Sequence, residues 1–339
     1  MSYHSLFFSY QDQSPWTENG DANLTNPLIV AMTEMGISST KIRELLNKLA
    51  KKNPAQKLSE NESDLEITRQ NWEQHIGRKQ SYSALVRFFQ VLIEEEPENI
   101  RQYFSQLADG IYTNDFYSLI RLAYALESGQ KEEVARALAF LTASYQPLHF
   151  ELPEQETKVF IEQIMGLAEK KGNYSIEGTN LYDKICHISQ NRAYLQDFAK
   201  LEEENLNIYT LRALAIRLGR ETKEDILKNL FCAVHAFRVI SPLLPDFPAA
   251  IQQFYLVMQA AYLALGCPEM KPAEAGTEKN WPLIFQLSGV SKNSSHIFFI
   301  YSCYREYQFA QSSIYPEMAY QLIHSELKPE IVNQPKTVK

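Results

Sequence analysis

No two of the twelve glycines are separated by a single residue, so the Gly-x-Gly core of a dinucleotide-binding fingerprint does not occur. The phosphate-cradling P-loop is absent as well, and so are H-E-x-x-H, G-x-S-x-G and C-x-x-C. These gaps exclude the usual Rossmann machinery, the common zinc hydrolases and the nucleophile-elbow esterases. Cysteine is scarce: Cys186, Cys232, Cys267 and Cys303 form no close pairs, which suits reduced thiols of a cytoplasmic protein and not a disulfide frame. The seven histidines are dispersed, and Cys186–His187 and Cys232/His235 are the closest approaches to a metal-ligand pair; two ligands per site are too few, so no metal is expected. Clustered basic residues are lacking and the formal net charge is −8, which argues against nucleic acid as a partner. The first sixteen residues have no basic segment leading into an apolar run, so no secretory leader is expected. The longest apolar stretches are interrupted before the roughly 20 residues of a membrane span, so no membrane association is expected either. Sustained polar/apolar alternation and fixed-period repeats are also missing, which leaves few strands and no solenoid.

What is present is helical periodicity. Apolar residues recur three and four apart in 28–36, 38–52, 81–96, 97–110, 114–129, 131–145, 155–172, 207–219, 223–240, 248–266 and 294–310. Ser, Pro or Asn precedes most of these runs and Gly or Pro follows, as helix boundaries require. Ser38 or Ser39 is a candidate cap for the second, and Gly129 turns the 114–129 run into a hairpin with 131–145. A dozen or more helices joined by short loops predict an all-α fold. The polar segments 53–64 and 268–280 are too short to force a boundary, so residues 1–325 are read as one domain, with 326–339 as a mobile tail.

The second feature is aromatic load, 19 Tyr and 18 Phe. Most must be core, and buried tyrosine hydroxyls need partners. An all-α container rich in tyrosine suits a flat, hydroxylated aromatic ligand in a mostly apolar pocket. In the 114–129 helix Arg121 sits amid apolar residues, with Tyr117 and Tyr124 on its side and Glu127 near the edge of the stripe. Either the guanidinium holds a ligand's phenolate or carboxylate between two orienting phenols, or it is a structural partner of Glu127 or another acid, stacked on the two phenol rings. A cation beside Tyr117 would lower its pKa and fit it for proton transfer.

That helix resembles a signature of the questin oxidase-like family, which reads approximately Phe-His-x-x-Ile-His-Leu-x-Tyr-x-x-Glu. Phe116, Ile120, Leu122, Tyr124 and Glu127 match it, while Tyr117 and Arg121 stand where the family has histidine. The stretch 25–38 is similar to the family's N-terminal Asn-His-x-Pro-x-Ala-Leu segment through Asn26 and Ala31, with Pro27 at the histidine. The stretch 230–245 is similar to its His-Ala-Leu-Arg helix through His235, Ala236 and Arg238, with Asn229 in place of an earlier histidine. His296 and Arg305-Glu306-Tyr307 resemble the C-terminal part, so the likeness runs over most of 24–310.

The resemblance implies an oxidoreductase that opens a ring of an anthraquinone-like substrate in a Baeyer–Villiger-type step, with molecular oxygen and NADPH as co-reactants. Acid–base candidates are His235, His296 and Tyr117. Substrate contacts fall to Arg121, Tyr124, Asn229 and Arg238. Packing alone would also account for His235, and helix capping for the surroundings of His296. Two other readings stay open: a non-catalytic member that binds an aromatic ligand or a protein after losing the histidines, and a helical interaction protein with no small-molecule site.

Overall fold

Local chemistry starts many of the helices. Asn180, Asn191, Asn207, Asp246, Asn280 and Asn293 each accept a hydrogen bond from a backbone N–H two or three residues on, satisfying a donor that the first turn leaves unpaired. Ser38 stands at a cap position with extended backbone but makes no such bond.

In the computed structural model, residues 3–10, 13–58, 65–222, 224–271 and 280–332 are described. Among them are sixteen α-helices: α1 (Tyr3–Tyr10), α2 (Thr25–Glu34), α3 (Ser39–Lys52), α4 (Tyr82–Glu95), α5 (Ile100–Ser105), α6 (Tyr117–Ser128), α7 (Lys131–Ala143), α8 (Phe160–Lys170), α9 (Leu181–Ser189), α10 (Arg192–Leu195), α11 (Ile208–Glu221), α12 (Asp225–Ile240), α13 (Phe247–Ala264), α14 (Trp281–Ser288), α15 (Ser294–Ala310) and α16 (Ile314–Val332). The strands are β1 (Gln13–Thr17) beside β2 (Ala55–Lys57), and β3 (Glu156–Thr157) parallel to β4 (Lys200–Leu201). The fold is all-α.

The chain divides into two compact units, Met1–Gln56 with Pro272–Lys339, and Lys57–Lys271. In the first, α2 packs on α1, α3 and α15, while α16 packs on α14 and α15. Trp281, Phe285, Tyr304 and Tyr307 form its aromatic cluster, with ring centroids 4.9–5.6 Å apart. Residues 326–332, read from the sequence as the start of a tail, continue α16, and residues 333–339 lie outside the described residues.

In the second unit α4 packs on α7, α7 on α6, α6 on α12 and α12 on α11. Gly129 closes α6 at φ 66°, a conformation that glycine adopts without Cβ strain, and turns the chain back into α7 as the sequence predicts. The start of α6 differs from the sequence reading. Asn114, Asp115 and Phe116 all have positive φ (56°, 53° and 74°), so the helix begins at Tyr117 and not at Asn114. Tertiary contacts hold this left-handed turn: Asp115 accepts from the Tyr182 N–H, Asn114 donates to the Ser118 hydroxyl, and the Phe116 ring is buried. The left-handed conformation costs a bulky residue such as Phe116 about 1–2 kcal/mol, which the packing of its ring against Tyr112 and Phe254 offsets.

Residues 225–243 are long and apolar enough to cross a membrane by composition, contrary to the expectation that polar residues break every such run. Two thirds of the segment is buried inside the protein, as in the core helix of a globular domain.

Candidate functional site

The α6–α12 seam brings Tyr117 to Asn229 and Tyr124 to His235 and Arg238, while Arg121, also on α6, is held by Glu133 of α7. At one end the Asn229 amide donates to the Tyr117 hydroxyl at 3.0 Å. Asn229 is buried, and its side-chain oxygen has no hydrogen-bond partner.

Arg121 corrects the ligand-clamp expectation. Its Nε donates to Glu133 Oε1 at 2.9 Å, with 5% and 2% of the two side chains exposed. The guanidinium also bonds the Tyr82 hydroxyl and lies 5.4 Å from the centre of the Phe140 ring. Burial works against its charge, but Glu133 and Tyr82 outweigh it and raise the Arg121 pKa further. An acid already neutralising the guanidinium would compete with any ligand anion. The structural alternative holds here, with Glu133 of α7 as the partner in place of Glu127.

Glu127 goes instead to α12. Its Oε2 lies 3.3 Å from His235 Nε2, and Arg238 Nη2 lies 3.4 Å from His235 Nδ1. Arginine can only donate, so Nδ1 accepts and Nε2 carries the proton that points at Glu127. Protonating both nitrogens would set two donors against each other. The His235 ring is fully buried, 6.1 Å from the ring of Tyr124, which is also fully buried. The ring has no route to solvent.

His296 belongs to the other unit. Its Nδ1 lies 2.8 Å from Glu326 Oε2, and Glu326 also accepts from the Ser291 hydroxyl and the Lys292 N–H. Burial alone would raise the Glu326 carboxyl, but His296, Lys292 and Ser291 together hold it below its ordinary 4.5. A carboxyl with a depressed folded pKa contributes stability that is fully present above about pH 4.5 and is lost as pH falls through the folded value. Acidification below pH 4.5 is therefore expected to unfold the wild-type unit more steeply than Glu326→Gln. Circular dichroism during an acid titration checks this, and identical slopes would refute it.

Two cavities lie elsewhere in the second unit. One is an open groove of about 540 Å³ whose lining includes Glu66, Arg69, Arg87, Phe88 and Glu95. Arg69 there is already held by Glu96 at 2.6 Å. The other, about 320 Å³, is lined by apolar side chains with Asp109, Tyr112, His149, Asp246 and Gln252. Neither includes Tyr117, Arg121, Tyr124 or His235 in its lining. Sequence reasoning missed Tyr112, Glu133, Gln252 and Glu326. Glu133 carried one signal, an acid in the first turn of a helix that Gly129 folds back on α6. Among the described residues no three His, Cys, Asp or Glu side chains converge as a metal site would require.

An all-α protein with a charged, hydrogen-bonded seam between two core helices and a separate, mostly apolar cavity is the class these features define. Residues 23–231, more than half of the chain, match the family model described as Questin oxidase-like, and the chain belongs to that family of oxidoreductases. No curated protein matches it. The matched segment includes Tyr117, Arg121, Tyr124 and Asn229 and stops short of His235, Arg238 and His296.

Proposed function

We propose that the protein oxidises a hydroxylated polycyclic aromatic, inserting one atom of dioxygen next to a ring carbonyl in a Baeyer–Villiger-type step while a reductant carries the other atom to water. Membership of the questin oxidase-like family carries this reading. The 320 Å³ cavity supports it, being within the size range of small-molecule sites and mostly apolar with a few polar groups.

NADPH is the reductant that the family resemblance suggests, and its pyrophosphate and 2′-phosphate call for unneutralised cations or a glycine-rich helix start. The groove carries Glu66 and Glu95, with Arg69 committed to Glu96 and Arg87 bonded to the Leu65 carbonyl, and the smaller cavity has Asp109 and Asp246 at its polar positions. The smaller cavity, with neither Lys nor Arg in its lining, does not fit NADPH. Incubating the protein with a hydroxyanthraquinone panel and oxygen, with and without NADPH, tests the reading. Mass spectrometry should detect a product that has gained one oxygen atom. No such product from any member of the panel would overturn it.

One observation favours a second reading, a binder without turnover. The residues at the family's histidine positions are engaged inside the protein, Arg121 by Glu133 and Tyr117 by Asn229. Thermal stabilisation by the same panel without any oxygenated product is the result that supports it.

A further inference from the structure

We infer that the cavity bordered by Tyr112, Gln252 and Ala250 is the binding site for an uncharged, mostly apolar molecule that presents an acceptor oxygen, a quinone or aromatic-ketone carbonyl, to the Tyr112 hydroxyl. The aromatic character of the ligand rests on the function proposed above; the carbonyl and the absence of negative charge are read from the cavity's own groups.

Tyr112 is 4% exposed, and its ring is fixed edge-on by Phe116 and Phe254, with centroids at 6.4 and 5.7 Å. Its hydroxyl has no hydrogen-bond partner among the described residues, yet it is not among the buried polar atoms sealed from solvent. Tyr112 lines the cavity, and its hydroxyl is the donor we assign to a ligand there. Burial first, and the Asp109 carboxylate second, push the phenol well above its ordinary 10, so it stays protonated and acts as a donor. Gln252 also borders the cavity; its oxygen accepts from the Leu201 N–H at 2.9 Å, which fixes the amide, while its nitrogen is sealed from solvent. A buried phenol without an acceptor is costly, and a ligand oxygen relieves that cost.

Charge completes the assignment. The lining contains Asp109 and Asp246 and neither Lys nor Arg, so a ligand carboxylate meets repulsion from two acids. The remaining surface is largely Ala, Ile and Leu, which suits a planar hydrocarbon body.

Affinities for dihydroxyanthraquinone, its ring-carboxylated analogue and anthracene, measured by titration of the full chain at low salt, test the site. Tyr112→Phe should weaken dihydroxyanthraquinone binding about 3- to 10-fold, the scale of one hydrogen bond, and leave anthracene binding unchanged. Ala250→Trp, or Ala249→Trp at the exposed rim should the first misfold, should abolish binding of all three. The carboxylated analogue should bind about tenfold more weakly than the parent, and Asp109→Asn should narrow that gap. Wild-type affinity for dihydroxyanthraquinone in both Tyr112→Phe and the tryptophan variant would place the ligand elsewhere and overturn this site, while oxygenated product from those variants would leave the proposed function standing. Absence of binding and of product for every compound with the wild-type chain would instead overturn the proposed function, and the site with it.

Discussion

Arg121→Met is expected to destabilise the Lys57–Lys271 unit by about 3–5 kcal/mol, because it leaves the Glu133 carboxylate buried without its partner. Glu133 is 2% exposed and cannot recover water in place of the guanidinium without opening the α6–α7 hairpin. Glu133→Gln should cost a comparable amount by stranding the cation, while Arg121→Met combined with Glu133→Leu should restore most of the loss, since an apolar pair of similar volume carries no desolvation penalty. Urea denaturation of the two single variants and the double variant measures the coupling directly. A cost below about 1 kcal/mol for either single change would show that the pair is solvated and worth no more than a surface ion pair. Dihydroxyanthraquinone affinity should be unchanged in the double variant, which separates this role from a ligand clamp.

Phe254→Ala is the second large effect, at about 3–5 kcal/mol. The ring is fully buried and joins the aromatic groups around the cavity, with centroids 4.8 Å from Phe237, 5.7 Å from Tyr112 and 6.3 Å from Phe116. Removing it leaves a void that the three surrounding rings, from two separate segments, cannot all collapse to fill. It also frees one edge of Tyr112, so affinity for dihydroxyanthraquinone should fall along with stability. Calorimetric melting and ligand titration of the same variant check both parts. An unchanged melting temperature would mean that Phe254 is not the packing centre the geometry makes it.

The limits of sequence reasoning show in these same residues. The α6–α7 hairpin was legible because it depends on apolar spacing and one glycine, both local. The partner of Arg121 was not. Glu127 lies six residues on, which on a helix turns it about 120° away from Arg121. Glu133 lies twelve residues on, and the hairpin brings it back within reach. The spacing of His235 and Arg238 on one helix was readable as i, i+3, but nothing in that spacing names Glu127 on another helix as the third member. Positions 326–332 read as tail because they lack apolar periodicity, although Glu326 anchors α16 through His296, Ser291 and Lys292.

The sequence by itself determined the all-α class, most of the helix boundaries and the family, since caps, stops and apolar periods act between residues at most four apart and family motifs are linear. Only the tertiary structure decided that Arg121 faces Glu133, that His235 is sealed between Glu127 and Arg238, and that Tyr112 lines a cavity. The reason is geometric. That cavity draws its lining from the turn before α6, the loop around His149 and the start of α13, and which side chains from such separate stretches meet depends on how the helices cross, a quantity no local spacing encodes.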